Sequence, residues 1–180
     1  TYLDKPVVHF WLVAASFRLW GLTEWAARLP SALMGLATML LTWLLARRIF
    51  GNSAGIRAGI ILATSPLVLA FSRLVIFDMT LVFLVTVAMA SFWFVEASEF
   101  RRPWLEVLLF AAMGLATITK GPVGFLLPLI AILVFQGLRG RFSELKRLRW
   151  AMGVGVFVAV TLPWFVAVSV RHAAFPRYAL

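Results

Sequence analysis

Three short polar motifs interrupt this apolar chain, and each of them lies at the end of a long hydrophobic run. The motifs are Asp4-Lys5-Pro6, Asp78 and Lys120-Gly121-Pro122. Charged groups are costly close to a bilayer, so charges that separate segments gather on one face of a membrane usually mark a functional site. The acids can place charge or hydrogen bonds beside a polar substrate, whereas the lysines can pair with a phosphate-bearing ligand at the membrane surface.

The composition of the 180 residues indicates the class of protein. Hydrophobic residues make up 63% of the chain and charged residues only 13%, a balance far more apolar than that of a soluble domain. The chain contains no cysteine, which excludes disulfides, thiolate metal sites and cysteine catalysis. In a membrane protein the placement of each base matters more than the net charge of +10, so we infer no nucleic-acid partner from it. We predict an integral membrane protein.

Long apolar runs predict the positions of the membrane helices. Residues 7–20 carry His9 and Arg18 among apolar bulk, which predicts an interfacial helix. About six spans are predicted, at 29–46, 58–72, 79–95, 104–119, 123–138 and 150–170. The second of these runs is short and holds Pro66, so it must borrow interfacial residues at one end. The predicted fold is an all-α polytopic membrane helical bundle, with residues 1–180 forming a single membrane domain.

The basic residues are unevenly divided between the loops, as the positive-inside rule predicts. Ten of the seventeen lysines and arginines lie in the loops 47–57, 96–103 and 139–149, which we therefore place in the cytoplasm. The other seven lie on the outer side together with only three acids. These outer residues are Lys5, Arg18, Arg28, Arg73, Lys120, Arg171, Arg177, Asp4, Glu24 and Asp78. The excess of bases predicts an anionic ligand at the outer leaflet, such as a lipid phosphate or pyrophosphate.

Simpler explanations exist for several of these residues. Arg73 and Asp78 span one tight turn, so an ion pair that only shapes the loop is an alternative to a ligand role. His9 and His172 also fall on the outer side, and a divalent cation shared with Asp4 is a further alternative, because histidine and carboxylate are common metal ligands. Three arginines can simply snorkel to lipid headgroups, namely Arg18, Arg28 and Arg171.

Several short motifs occur in an order that is typical of one family of membrane enzymes. They are Tyr2-Leu3-Asp4-Lys5-Pro6, Trp25-Ala26-Ala27-Arg28-Leu29-Pro30-Ser31, Ala63-Thr64-Ser65-Pro66, Phe77-Asp78-Met79, Thr119-Lys120-Gly121-Pro122 and Leu162-Pro163-Trp164. In this order, and over nearly all 180 residues, the chain resembles the polyprenyl-phosphate-sugar-dependent membrane glycosyltransferases. That family includes the protein O-mannosyltransferases and the bacterial aminoarabinose transferases that modify lipid A.

The resemblance implies that a sugar is transferred from an undecaprenyl-phosphate or dolichyl-phosphate carrier to a lipid or protein acceptor. The acceptor side is periplasmic or luminal, which in a bacterium places the protein in the inner membrane with its site facing the periplasm. The resemblance implies catalytic roles for Asp4 and Asp78, and an inverting displacement that is either metal-independent or assisted by a divalent cation on Asp4 and His172. It also implies substrate contacts from four bases, which are Lys5, Arg73, Lys120 and Arg177.

The family pattern places an acidic general base before the Asp-Lys-Pro motif, whereas this sequence starts at Thr1. We therefore expect a fragment that lacks the first transmembrane helix and the C-terminal part, and that is inactive alone. The main alternative function is a transporter or flippase of an anionic lipid or lipid-linked sugar. Such a protein would place charges near the bilayer midplane, but every clear charge here lies at a predicted helix end. A non-catalytic scaffold would explain the spans but not the charges gathered on one face.

Overall fold

The structure, a computed structural model, describes residues 7–98 and 102–171. These residues form eight α-helices and one 3-10 helix, and the described ranges contain no strand. The helices are α1 (Val8–Trp20), α2 (Glu24–Phe50), α3 (Asn52–Thr64), α4 (Pro66–Phe71), α5 (Asp78–Glu96), α6 (Pro103–Lys120), α7 (Val123–Leu138) and α8 (Trp150–Arg171), with the 3-10 helix (Phe142–Arg147) before α8. The predicted all-α class is confirmed.

Within the described part of the chain, four helices are long and apolar enough to cross a membrane, namely α2, α5, α6 and α8. Helix α7 is also apolar but has only 16 residues. A span needs about 20 residues to cross a hydrocarbon core of roughly 30 Å. The polytopic membrane class is therefore confirmed, and the predicted number of six spans is approximate.

The second predicted span, 58–72, is wrong as a single helix. Helix α3 ends at Thr64 and α4 begins at Pro66, with Ser65 extended between them (φ −63°, ψ 120°). Proline lacks an N–H donor and disfavours helical geometry in the residue before it, so the helix stops and restarts with proline in its first position. The two helices contain 13 and 6 residues, so neither reaches the length of a full span.

The basic segment 47–57 was predicted as a loop, but it is helical on both sides of a single residue. Helix α2 continues to Phe50 and α3 begins at Asn52, so Gly51 alone joins them. Gly51 has a φ of 93°, a left-handed conformation that glycine adopts at no steric cost, and its N–H donates to the carbonyl of Arg47 at 3.0 Å. The arginines at the end of α2 therefore lie where the helix dipole favours cations.

The chain divides into two compact units, and the first comprises Val7–Thr86. Helix α2 is central to this unit, because α1, α3 and α4 all pack against it. Helices α2 and α3 approach closely at Gly55, where a Cβ atom would lie only 2.7 Å from the Cβ of Arg47. Small residues at such contacts allow helices in a membrane to pack at short distance.

The second unit begins at Val87 and contains the rest of α5 together with α6, α7 and α8. Its core consists of buried side chains from α5, α6 and α7, which are Ala88, Phe92, Leu109, Phe110, Ala112, Met113 and Ile132. Helix α6 contacts both α7 and α8. Gly124 lies against the backbone of Ala116, so α6 and α7 pack with no side chain between them at this point.

Two carboxylates at one end of this unit join its helix termini. Glu96 accepts hydrogen bonds from Nε2 of Gln136 at 3.0 Å and from Nη1 of Arg139 at 3.1 Å. Glu106, which is 3% exposed, accepts the backbone N–H of Arg149 at 2.9 Å. The C-terminus of α5, the N-terminus of α6 and the basic segment that follows α7 therefore lie at the same end of the unit.

Candidate functional site

Three of the predicted site residues lie in the part of the chain that the structure describes, namely Arg73, Asp78 and Lys120. The other four lie outside the described residues, and they are Asp4, Lys5, His172 and Arg177. The predicted cation ligands Asp4 and His172 belong to the second set. Within 7–98 and 102–171, no group of three or more histidine, cysteine, aspartate or glutamate residues is placed to hold a metal ion.

Asp78 is the first residue of α5 and its side chain is half-buried. The first turn of the helix is closed by the N–H of Leu81, which donates to the carbonyl of Phe77 at 3.0 Å. A carboxylate at a helix N-terminus is stabilised by the backbone N–H groups that have no helical partner there. Asp78 therefore lies at a helix end where a negative charge is favourably placed.

The turn before α5 is held by two neighbouring helices of the same unit. From α2, the hydroxyl of Ser31 donates to the carbonyl of Ile76 at 3.4 Å, and Gly35 faces Ser72 so closely that a Cβ atom would overlap the serine hydroxyl. From α1, Nδ1 of His9 hydrogen bonds Oγ1 of Thr80. Contacts from separate helices restrict the turn, so Asp78 is presented on a rigid support rather than on a mobile loop.

His9 is a buried polar residue whose surroundings the sequence did not reveal. Its side chain is only 2% exposed, and the Nδ1–Oγ1 distance to Thr80 is 3.0 Å. Its second ring nitrogen, Nε2, is buried and has no hydrogen-bond partner in the described structure. Burial lowers the pKa of His9 below its ordinary value of 6.5, and the carboxylate of Asp78 acts in the opposite direction. The charge of Asp78 therefore reaches the ring of His9.

Arg73 lies in the same turn as Asp78, but the two side chains form no ion pair in the described structure. Its side chain is exposed, and its backbone N–H donates to the carbonyl of Ala70 at 3.1 Å. The ion pair that would merely shape the loop is therefore not formed. The exposed guanidinium is suited to an anionic group at the membrane surface.

Lys120 belongs to the second unit, where it is the last residue of α6 and is exposed. The following Gly121 has a φ of 74°, and its N–H donates to the carbonyl of Thr117 at 2.7 Å. Pro122 then precedes the first residue of α7. The predicted tight break at Lys120-Gly121-Pro122 is confirmed, and it places a cation at a helix C-terminus, where the dipole favours it.

The first unit also carries an apolar groove between α2 and α3, with a volume of about 420 Å³. Its lining includes Met39, Trp43, Ile56 and Ile60. At one end the guanidinium of Arg47 lies over the ring of Trp43, 5.3 Å from its centroid. A groove lined by apolar side chains is suited to a hydrocarbon chain.

The carboxylates of Glu96 and Glu106 are polar groups whose partners the sequence did not predict. Both occupy the ends of α5 and α6 that are opposite to Asp78 and Lys120. They join helix termini of the second unit and accept hydrogen bonds from within it. These hydrogen bonds account for both carboxylates within the second unit, away from the helix end that carries Lys120.

Comparison with known proteins identifies relatives along nearly the whole chain. A family profile described as dolichyl-phosphate-mannose-protein mannosyltransferase matches residues 4–166. An uncharacterised protein of Aquifex aeolicus (strain VF5) is 30% identical over 173 residues, which cover 94% of this chain and 34% of that protein. An undecaprenyl phosphate-alpha-4-amino-4-deoxy-L-arabinose arabinosyl transferase 1 of Pseudomonas fluorescens (strain Pf0-1) is 31% identical over 180 residues. The match covers 98% of this chain and 32% of that protein.

Two solved structures of one related protein also match nearly the whole chain. ArnT from Cupriavidus metallidurans bound to undecaprenyl phosphate matches with a TM-score of 0.94 and 34% identity, over 99% of this chain and 34% of that chain. The same protein in the apo state matches with a TM-score of 0.93. The chain therefore spans about a third of the length of the relatives that it matches.

Proposed function

We propose, because this chain belongs to the dolichyl-phosphate-mannose-protein mannosyltransferase family, that the protein containing it is a membrane glycosyltransferase. It moves a sugar from a polyprenyl-phosphate carrier to a lipid or protein acceptor. The observation that carries this proposal is the likeness to ArnT bound to undecaprenyl phosphate, with a TM-score of 0.94 at 34% identity. Relatives named for transfer of aminoarabinose from undecaprenyl phosphate support the same class of donor.

The chemistry of the transfer assigns roles to the predicted site residues. When the sugar leaves the carrier, negative charge grows on the phosphate, and a fixed cation that meets this charge is worth about 3 kcal/mol. Lys5, Lys120 and Arg73, with Arg177 as a further contact, supply those cations. Asp78 lies beside the sugar as a catalytic acid residue of the outer face, and Asp4 orients the site. The rigid support of Asp78 favours this role, because catalytic groups need a fixed geometry.

The same proposal places the site on the periplasmic face of a bacterial inner membrane. The C-terminus of α5 and the basic segment after α7 lie at one end of the second unit, which the positive-inside rule assigns to the cytoplasm. Asp78 and Lys120 stand at the opposite ends of α5 and α6. The site is then within reach of acceptors outside the cytoplasm.

The first test is transfer from radiolabelled undecaprenyl-phosphate sugars in membranes, measured with the protein in its complete sequence. Asp78→Asn and Lys5→Ala should each reduce transfer by about a hundredfold, because each removes charge from the reacting groups. Glu24→Gln and Lys146→Ala are matched controls, since both residues are exposed and neither is placed in the site. Equal protein levels must be shown for all four variants.

The possible outcomes distinguish a wrong assignment of the site residues from a wrong proposed function. Unchanged transfer by Asp78→Asn and Lys5→Ala would demote both residues to loop structure. No transfer by the unsubstituted protein with any donor sugar would refute the glycosyltransferase and leave movement of an anionic lipid as the activity to test. A divalent cation on Asp4 and His172 is a secondary proposal, and transfer that persists in excess EDTA would overturn it.

A further inference from the structure

The buried ring of His9 has one nitrogen that forms a hydrogen bond and one that forms none in the described structure. Nδ1 hydrogen bonds the hydroxyl of Thr80, while Nε2 has no partner in the described structure. A buried polar atom without a hydrogen bond reduces stability, so such atoms are rare in proteins. A ligand, a water or a reacting group usually supplies the missing hydrogen bond. Among the described residues no group satisfies Nε2, so the ring can accept or donate one further hydrogen bond there.

The position of this nitrogen connects it to the candidate site. Thr80 lies in the first turn of α5, two residues after Asp78, so the histidine ring is fixed to the same helix end that carries the predicted catalytic acid. The coulombic influence of Asp78 on His9 agrees with this proximity. The first turn of α5 therefore carries both Asp78 and the residue that holds the ring of His9.

The hydrogen bonds that the two nitrogens of the His9 ring can form indicate which ligand group fits. If Nδ1–H donates to the hydroxyl of Thr80, Nε2 carries a lone pair, and if the hydroxyl donates to Nδ1, Nε2 carries the proton. A hydroxyl group can either donate or accept, so it satisfies Nε2 in both tautomers. A phosphate oxygen satisfies only one of them. The carrier-linked sugar and a glycan acceptor both offer hydroxyl groups.

We propose that Nε2 of His9 hydrogen bonds a hydroxyl group of the substrate that is bound beside Asp78. His9 is then a substrate-contacting residue, and its bond to Thr80 orients the ring. This inference rests on the proposed glycosyltransferase function, from which it takes the nature of the substrate.

Three substitutions of His9 test the contributions of the two ring nitrogens, two of them one nitrogen at a time and the third both together. His9→Asn places an amide near the position of Nδ1, so it can keep the contact with Thr80 while losing the group at Nε2. His9→Gln reaches the position of Nε2 and gives up the contact with Thr80. His9→Phe removes both polar groups and keeps the ring. All three are made in the protein with its complete sequence and compared by transfer kinetics, thermal unfolding and binding of undecaprenyl phosphate.

The expected pattern is opposite for activity and stability. His9→Asn and His9→Phe should lose about tenfold or more in kcat/KM for transfer, whereas His9→Gln should stay within about threefold of the original protein. His9→Gln should nevertheless unfold at a lower temperature than His9→Asn. Binding of undecaprenyl phosphate, which carries no sugar, should be unchanged in all three variants. A higher KM for the donor assigns the hydroxyl to the sugar, and a higher KM for the acceptor assigns it to the acceptor.

Several results would overturn this inference. Full transfer by His9→Asn, or losses of transfer that follow the losses of stability across the three variants, would make His9 a packing residue with a water on Nε2. Equal loss of undecaprenyl phosphate binding would place the contact at the phosphate instead. No transfer by the unsubstituted protein would refute the proposed function, and that failure is visible before any variant is compared.

Discussion

The contact between α6 and α7 at Gly124 gives the sharpest test of how this structure positions Lys120. A methyl group at position 124 would overlap the backbone of Ala116 and Thr117, and a backbone cannot rotate away as a side chain can. Non-bonded carbon atoms prefer separations of about 3.5–4.0 Å, so Gly124→Ala must push the two helices apart by roughly 1 Å. We therefore expect the substitution to destabilise the protein.

The magnitude follows from two opposing effects. Alanine is favoured over glycine inside a helix by about 1 kcal/mol. Overpacking in a well-packed contact costs about 1–3 kcal/mol, and the upper end applies at Gly124 because the obstructing atoms belong to the backbone. The net loss in the free energy of unfolding should be about 2 kcal/mol. For a domain of this size that corresponds to a decrease of about 4–8 °C in the midpoint of thermal unfolding.

The assay is thermal unfolding in detergent, followed by the fluorescence of the chain's eight tryptophans. Gly155→Ala is the matched control, because Gly155 lies in helix α8 and a Cβ atom there would meet nothing within 4 Å. It should unfold at the same temperature as the original protein or slightly above it. In addition, Gly124→Ala should raise the KM for the polyprenyl-phosphate donor, because Gly124 lies in the first turn of α7, directly after the turn that holds Lys120.

Equal unfolding temperatures for Gly124→Ala and Gly155→Ala would refute this reasoning, because the close backbone contact of α6 and α7 would then not exist in the protein. A loss of stability without a change in KM would retain the contact and separate it from the position of Lys120.

Three further predictions concern single contacts. Glu106→Leu removes the buried carboxylate that accepts the N–H of Arg149, and it should lower the free energy of unfolding by about 1–3 kcal/mol in thermal unfolding. Glu106→Gln keeps an acceptor and should cost less than half as much. Gly35→Ala should cost about 1–2 kcal/mol by overlap with the hydroxyl of Ser72, and adding Ser72→Ala should recover at least half of that loss in a double-mutant cycle. Because burial lowers the pKa of His9, the unfolded chain binds more protons below pH 6.5, so stability should fall as the pH is lowered through and below that value, and His9→Gln should weaken this dependence in unfolding scans.

Much of the fold could be predicted from local sequence alone. The runs that form α2, α5, α6 and α8 were recognisable because a bilayer demands a continuous apolar length, and that demand is met within one segment of sequence. The turn at Gly121 was recognisable because positive φ and the restriction before proline act on adjacent residues. The break at Pro66 obeys the same local rule, but the apolar run 58–72 concealed it, because hydropathy does not register a lost N–H donor.

The candidate site, like the fold, could be predicted from the sequence only in part. The sequence pointed to Asp78 and Lys120 because each interrupts an apolar run, and it assigned them a chemistry through their charge. It could not show that Arg73 and Asp78 form no ion pair, because their spacing permits one. It could not show either that Glu106 is buried, since a carboxylate near a helix start is usually solvated.

The sequence by itself therefore determined that this is a helical membrane protein, which ends of its helices are polar, and which family it resembles. Only the tertiary structure decided that His9 contacts Thr80, 71 residues away, and that Glu106 contacts Arg149, 43 residues away. The physical reason is the separation in sequence over which each kind of interaction acts. Hydrophobic length and turn chemistry act between neighbours in the sequence, whereas a buried hydrogen bond depends on how helices pack. That packing is set by small residues such as Gly35 and Gly153, whose partners Ser72 and Phe110 are distant in the chain.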